Sequence, residues 1–162
     1  MVAGVQPFDP MMCDRGVGSA TIWREHSGEL IRYATVLVGP DHAEDVLSAV
    51  VERVLRRDGG LESLAEPRPY LFKAVLNESR NHFRTEKRDA PWVDGIETLP
   101  EVRPEVLRAV AGLPERQRAA VYLTYWRDLP VQQVAGLMGC RPGTVKRYLH
   151  LARHRLREVL QP

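Results

Sequence analysis

Apolar side chains recur along this chain at helical spacing, and no stretch shows the two-residue alternation of a half-exposed strand. The cleanest period lies in 41–57, where Ala43, Val46, Leu47, Val50, Val51, Val54 and Leu55 repeat at i, i+3, i+4 and i+7. Glu44, Asp45, Ser48, Glu52, Arg53 and Arg56 take the outer face of that helix. Asp41 followed by Glu44 predicts a capping box at its start. An earlier helix is predicted over 22–38, with Leu30, Ala34 and Leu37 along one side and Gly39-Pro40 breaking it. A third runs over 69–87, burying Phe72, Val75, Leu76, Ser79 and Phe83. A short helix over 105–112 and a longer one over 113–126, packing Ala120, Val121, Leu123 and Tyr125, lead into the last segment. The pattern is all-α.

Residues 128–157 carry the most specific signal. They predict two helices joined by a tight turn, with Val134, Met138, Cys140, Val145 and Tyr148 facing inward. Ala135 stands where the helices approach closely. Gly139 offers the left-handed conformation that ends a helix, and Pro142 suits the first turn of the next. At about 100° per residue, Val145, Tyr148, Leu149, Ala152 and Leu156 share one stripe of the second helix. Gly143, Lys146, Arg147, His150 and His154 lie opposite, with Thr144 at the edge. Between 141 and 157 there are six Arg or Lys and no acid. A basic stripe alone fits a solvated face. Joined to this turn it predicts a DNA-binding helix-turn-helix whose second helix enters the major groove.

Charge divides the chain in two. Residues 105–162 carry ten Lys/Arg against four Asp/Glu, whereas residues 1–104 carry thirteen against seventeen. Nucleic acid at the basic end and protein at the other is the physical reading. Residues 89–104 hold three prolines and four acids against one Arg, which predicts a linker, with Trp92 as its one large apolar anchor. The division is therefore a mobile tail over 1–20, a helical domain over 21–88, the linker, and a second helical domain over 105–162. Cys13 and Cys140 are too isolated for a disulfide framework or a zinc site. No apolar run approaches a membrane span and no signal peptide opens the chain, so a cytoplasmic protein without membrane insertion is expected.

The helix over 69–87 has a second informative side. Tyr70, Lys73, Asn77, Arg80, Asn81, Arg84 and Arg88 fall within about 100° of one another. Neutral groups that stack on or hydrogen-bond bases, set among cations that meet phosphates, suit a single strand. An ordinary solvated amphipathic face is the plainer reading.

Taken in order, three segments resemble the extracytoplasmic-function sigma factors of the sigma-70 family. A-T-V-L-V-G-P-D-H-A-E-D-V-L-S-A-V-V-E-R-V at 34–54 is similar to the first half of the family's N-terminal domain. P-Y-L-F-K-A-V-L-N-E-S-R-N-H-F-R at 69–84 is similar to its promoter-melting helix. The stretch at 113–149, from L-P-E-R-Q-R to V-K-R-Y-L, is similar to its C-terminal domain. The resemblance implies a protein that binds core RNA polymerase, directs it to promoter DNA, and is held inactive by an anti-sigma factor. It implies no cofactor and no catalysis. Arg141, Thr144, Lys146, Arg147 and His150 would read the −35 element. Tyr70, Lys73, Asn77, Arg80, Asn81 and Arg84 would capture the non-template strand of the −10 element, Asn77 at the base pocket. Asp45, Glu52, Arg53 and Arg56 would dock on the polymerase. The chain departs from the family at Ser48-Ala49, where Gln-Glu is usual. Its loop at 58–68 offers Leu61 or Leu64 where the family often has a pocket aromatic. Arg141 stands at a capping position where Ser is common.

Two rival readings use the same residues. A two-domain regulator explains 113–157 equally well, but not the Tyr/Asn/Arg face or the acidic linker. An enzyme would need more than His150 and His154 at i, i+4, since no Glu lies between them and no third metal ligand is evident.

Overall fold

The computed structural model describes residues 10–85 and 103–161, which form seven α-helices and no strand. Helix α1 (Pro10–Val38) starts twelve residues before the expected boundary at 22. Around Ser19 the helix is held by polar contacts rather than by an apolar stripe. The Leu61 amide donates to Ser19 Oγ at 3.1 Å, and the Ser19 amide donates to Glu62. Gly18 permits this, since a β-carbon there would lie 2.5 Å from the Glu62 carboxylate. Later turns bury Leu30, Tyr33, Ala34 and Leu37 at i, i+3, i+4 and i+7.

Gly39, at φ 89°, turns the chain into α2 (Pro40–Leu55). The expected capping box does not form: Gly39 is the N-cap and no side chain bonds the helix start. Pro40 supplies a preset φ at the first position, and Asp41 answers the positive end of the helix dipole instead. Ala43, Val46, Val50 and Val54 are buried, each valine contributing about 1.5–3 kcal/mol. After a loop whose Leu61 is fully buried comes α3 (Pro67–Thr85), burying Phe72, Val75, Leu76 and Ser79. Phe83's side chain, Arg88, Trp92 and the expected linker apart from Arg103 and Pro104 lie outside the described residues.

The second half opens with α4 (Pro104–Ala111) and α5 (Glu115–Val121), and α5 widens into a π-helical turn, Tyr122–Trp126. That widening overturns one expectation. Read at 3.6 residues per turn, Tyr125 faces inward; in the structure it is 56 % exposed, and Tyr122 is buried. Helices α6 (Val131–Met138) and α7 (Pro142–Leu160) complete the bundle. Helices α1, α2 and α3 pack on one another, and α5, α6 and α7 do likewise. The halves also meet directly, α1 against α5 and α3 against α6, so one continuous apolar core runs through both.

Candidate nucleic-acid interface

The turn between α6 and α7 has the geometry its residues demand. Gly139 sits at φ 64°, ψ 39°, a conformation that costs a residue with a β-carbon roughly 1–2 kcal/mol. The Cys140 amide reaches back to the Ala135 carbonyl at 3.0 Å and the Gly139 amide to Gly136 at 3.3 Å, the paired bonds that close a helix end. Arg141 is the N-cap of α7 with no side-chain capping bond, which leaves its guanidinium outside the helix start. Val145, Leu149 and Ala152 are buried against the bundle, with Tyr148 and Leu156 partly so. Arg141, Lys146, Arg147 and His150 are exposed and Thr144 is half-buried at the edge, so the structure gathers all five on the outer side of α7. His154 turns to Glu158 one turn later, Nδ1 to carboxylate 3.4 Å. Among the described residues no group of three or more His, Cys, Asp and Glu could hold a metal.

The second face stands on α3. Lys73, Arg80, Asn81 and Arg84 are exposed, and Tyr70 and Asn77 are half-buried. Arg57 lies over the Tyr70 ring, 5.4 Å from its centre, so one face of that ring is covered by a cation. Lys73 packs its stem across Gly139, where a β-carbon would come within 2.8 Å of Lys73 Cδ. Of the two leucines offered for the loop, Leu61 is sealed in the core and is excluded from a pocket; Leu64 stays half-buried.

On α2, Asp45, Glu52, Arg53 and Arg56 are all exposed. Arg56 pairs with Glu52 along the helix. Arg53 reaches Glu78 of α3 at 2.7 Å, which gives it a structural duty the sequence did not disclose. Beside them Leu55 is 77 % exposed, and with Trp23, Leu47 and Val51 it lines a shallow groove between α1 and α2.

Several charged groups in the structure have no counterpart among the expected site residues. Glu29 of α1 takes Arg68 at 2.5 Å and Arg127 at 2.6 Å. Burial pushes this carboxyl up, but hydrogen bonds and charge from Arg68 and Arg127 outweigh it and hold it below the ordinary range. Glu115, the first residue of α5, shows the opposite: burial lifts it to about 7 against the pull of Arg80, Arg118 and Arg116. Arg118 is 6 % exposed and donates to the backbone carbonyls of Val36, Leu37, Ala111 and Leu113. The one sequence signal for it was register, since it stands three residues before the inward Val121.

Comparison with known proteins agrees with this geometry. Residues 103–156 match the family described as sigma-70, region 4. The chain is 30 % identical over 158 residues to the ECF RNA polymerase sigma factor SigL of Mycobacterium tuberculosis, covering 86 % of this chain and 87 % of that one. It is 29 % identical over 153 residues to the RNA polymerase sigma-E factor of Streptomyces antibioticus, covering 86 % and 83 %. In fold it is similar to the sigma factor RpoE solved in complex with the anti-sigma factor NepR from Bartonella quintana, with a TM-score of 0.64, 22 % identity, and 88 % and 96 % of the two chains covered. On sequence, fold and the basic helix-turn-helix together, this chain belongs to the ECF RNA polymerase sigma factors.

Proposed function

We propose that the chain binds core RNA polymerase and directs it to selected promoters through two separate nucleic-acid faces. The observation that carries this is their chemical difference. Helix α7 presents Arg141, Lys146, Arg147 and His150 from an apolar-backed helix, a form suited to the major groove of the −35 duplex. Helix α3 presents Tyr70, Asn77 and Asn81 among Lys73, Arg80 and Arg84, a form suited to unpaired bases of the −10 element. A regulator that reads only duplex has no use for the second. The domains then divide as 21–88 for the polymerase and the −10 element and 105–162 for the −35 element, with the acidic stretch 89–104 between them.

The polymerase docks on the outer side of α2, where Asp45, Glu52 and Arg56 stand beside exposed Leu55. An anti-sigma protein, such as the partner in the Bartonella quintana complex, is the natural inhibitor. The chain acts by binding and not by catalysis. Among the described residues no helix is long and apolar enough to cross a membrane, and the cytoplasm, with the polymerase and DNA, is the proposed place of work. The test is co-purification with core polymerase followed by run-off transcription from candidate promoters. Promoter-dependent transcripts are expected; a chain that retains duplex binding but never associates with core would overturn the reading.

A further inference from the structure

The arginine that covers Tyr70 lies outside α3, and it differs from the arginines around it. Arg53, Arg56 and Arg68, the nearest along the chain, each hold a carboxylate: Glu78, Glu52 and Glu29. Arg57 is exposed, and among the described residues its charge is set against a ring and no carboxylate.

The backbone fixes that position. The Arg57 amide donates to the Val54 carbonyl at 3.1 Å where α2 ends, and the Gly60 amide donates to the Arg57 carbonyl at 3.2 Å. Leu61, fully buried, then anchors the loop in the core. Held from both sides, Arg57 brings its guanidinium 5.4 Å from the centre of the Tyr70 ring, inside the cation–π range of about 6 Å.

A guanidinium laid on a ring keeps two surfaces in use. Its outer face is a plane on which a base can stack, and its edge carries N–H donors that fork onto a phosphate. The Tyr70 ring packs partly against the core, so on the side that Arg57 covers it is a backing and not the contact surface. Position separates this pair from Asn77. Tyr70 and Asn77 are seven residues apart, about 10 Å along α3, against about 3.4 Å between successive bases of a stacked strand. The two therefore engage different bases.

We propose that Arg57 and Tyr70 together form a stacking platform for a second unpaired base of the −10 strand, the base lying on the guanidinium and the guanidinium edge meeting a flanking phosphate. This rests on the sigma-factor reading of α3. It adds to the single-strand face a residue from the end of α2, which no helical period in 69–87 could disclose.

The test uses the holoenzyme on a promoter found by run-off transcription, with a pre-opened −10 bubble. A 2-aminopurine is placed at successive positions of the non-template strand. Its fluorescence reports stacking, and the salt dependence of affinity counts phosphate contacts. Wild type should alter the fluorescence at one position beside the one that Asn77 controls. Arg57→Lys keeps the charge and loses the plane, so it should abolish that change and weaken bubble binding about tenfold at an unchanged salt slope. Arg57→Ala should lose the signal and lower the slope by about one contact as well. Tyr70→Leu keeps an apolar group for the core and removes the backing; it should reproduce Arg57→Lys, and the double variant should be no worse than either. Helicity by circular dichroism and affinity for core polymerase should stay at the wild-type level throughout. If Tyr70→Leu fails to fold, the exposed Arg57 variants decide alone. A stacking signal that survives Arg57→Lys overturns the platform, as does the lack of any signal on a bubble that wild type binds. Wild type that neither binds core nor supports transcription would strike the sigma-factor reading, and the platform with it.

Discussion

Arg147 lies in the second turn of α7 on the side opposite the buried Val145–Leu149–Ala152 stripe, where a long side chain meets a groove edge-on. If it reads a base, Arg147→Ala costs about 1–3 kcal/mol on the matching promoter and much less on one mutated at that base pair. Equal losses on both, by fluorescence anisotropy at fixed salt, would reassign it to a phosphate. Asn77 poses the single-strand version of the same question. A mid-helix Asn is intrinsically unfavourable, and here it is half-buried between Lys73 and Asn81 on one side of α3. Trapping an unstacked base offsets the few kcal/mol needed to open each step. Asn77→Ala should therefore leave folding, core binding and closed-complex formation nearly unchanged while lowering the permanganate reactivity of promoter thymines. A pre-melted −10 bubble should rescue the opening step alone. Normal melting by the Asn77→Ala holoenzyme would exclude the pocket role.

At the scale of elements, what was legible followed from what is local. The helix-turn-helix could be read whole because Ala135, Gly139 and Pro142 each act through their own backbone, and the Val145–Leu149–Ala152 stripe through its immediate register. The tie at Ser19 of α1 could not, because its partners lie more than forty residues away at Leu61 and Glu62. Nor could the inward turn of Tyr122 and outward turn of Tyr125, since a π-helical turn breaks the period on which such a reading depends. The outer side of α2 shows the same limit at a candidate site. The four expected docking residues, Asp45, Glu52, Arg53 and Arg56, are exposed as the period placed them, yet the Arg53–Glu78 pair appears only once α3 is set beside α2. That pair decides the choice of variants. Reversing Arg53 would loosen α3, whereas Asp45→Lys with Arg56→Glu changes the surface and touches only the exposed Glu52 pair, which is worth about 0.3–0.5 kcal/mol. The double variant should keep its helicity and melting temperature and lose at least tenfold in affinity for core polymerase by competition binding. Unchanged affinity would move the dock off this face.

The molecule as a whole carries a pH dependence that follows from where its halves touch. Glu115 feels the charges of Arg80 from α3 and of Arg116 and Arg118 from its own helix, and its own charge acts on the Tyr33 hydroxyl of α1. Burial in this junction lifts its carboxyl from 4.5 to about 7. The sign follows directly: the closed form binds a proton more tightly than an opened form that returns Glu115 to water. Closure therefore strengthens as pH falls through 7, by up to about tenfold per unit until the ordinary value is reached, and is weakest above 7. Glu29 has the opposite sign and another window. Its carboxyl is held below the ordinary range by Arg68 and Arg127, so its contribution is present above that range and is lost in stronger acid. The two windows do not overlap, which makes the first one testable alone. The scattering radius of the full chain should fall as pH is lowered from 8 to 5.5. Glu115→Gln, neutral at every pH and of the same shape, should stay compact throughout and flatten the profile. A Glu115→Gln chain that still contracts over that interval would show that another group couples the halves to the proton.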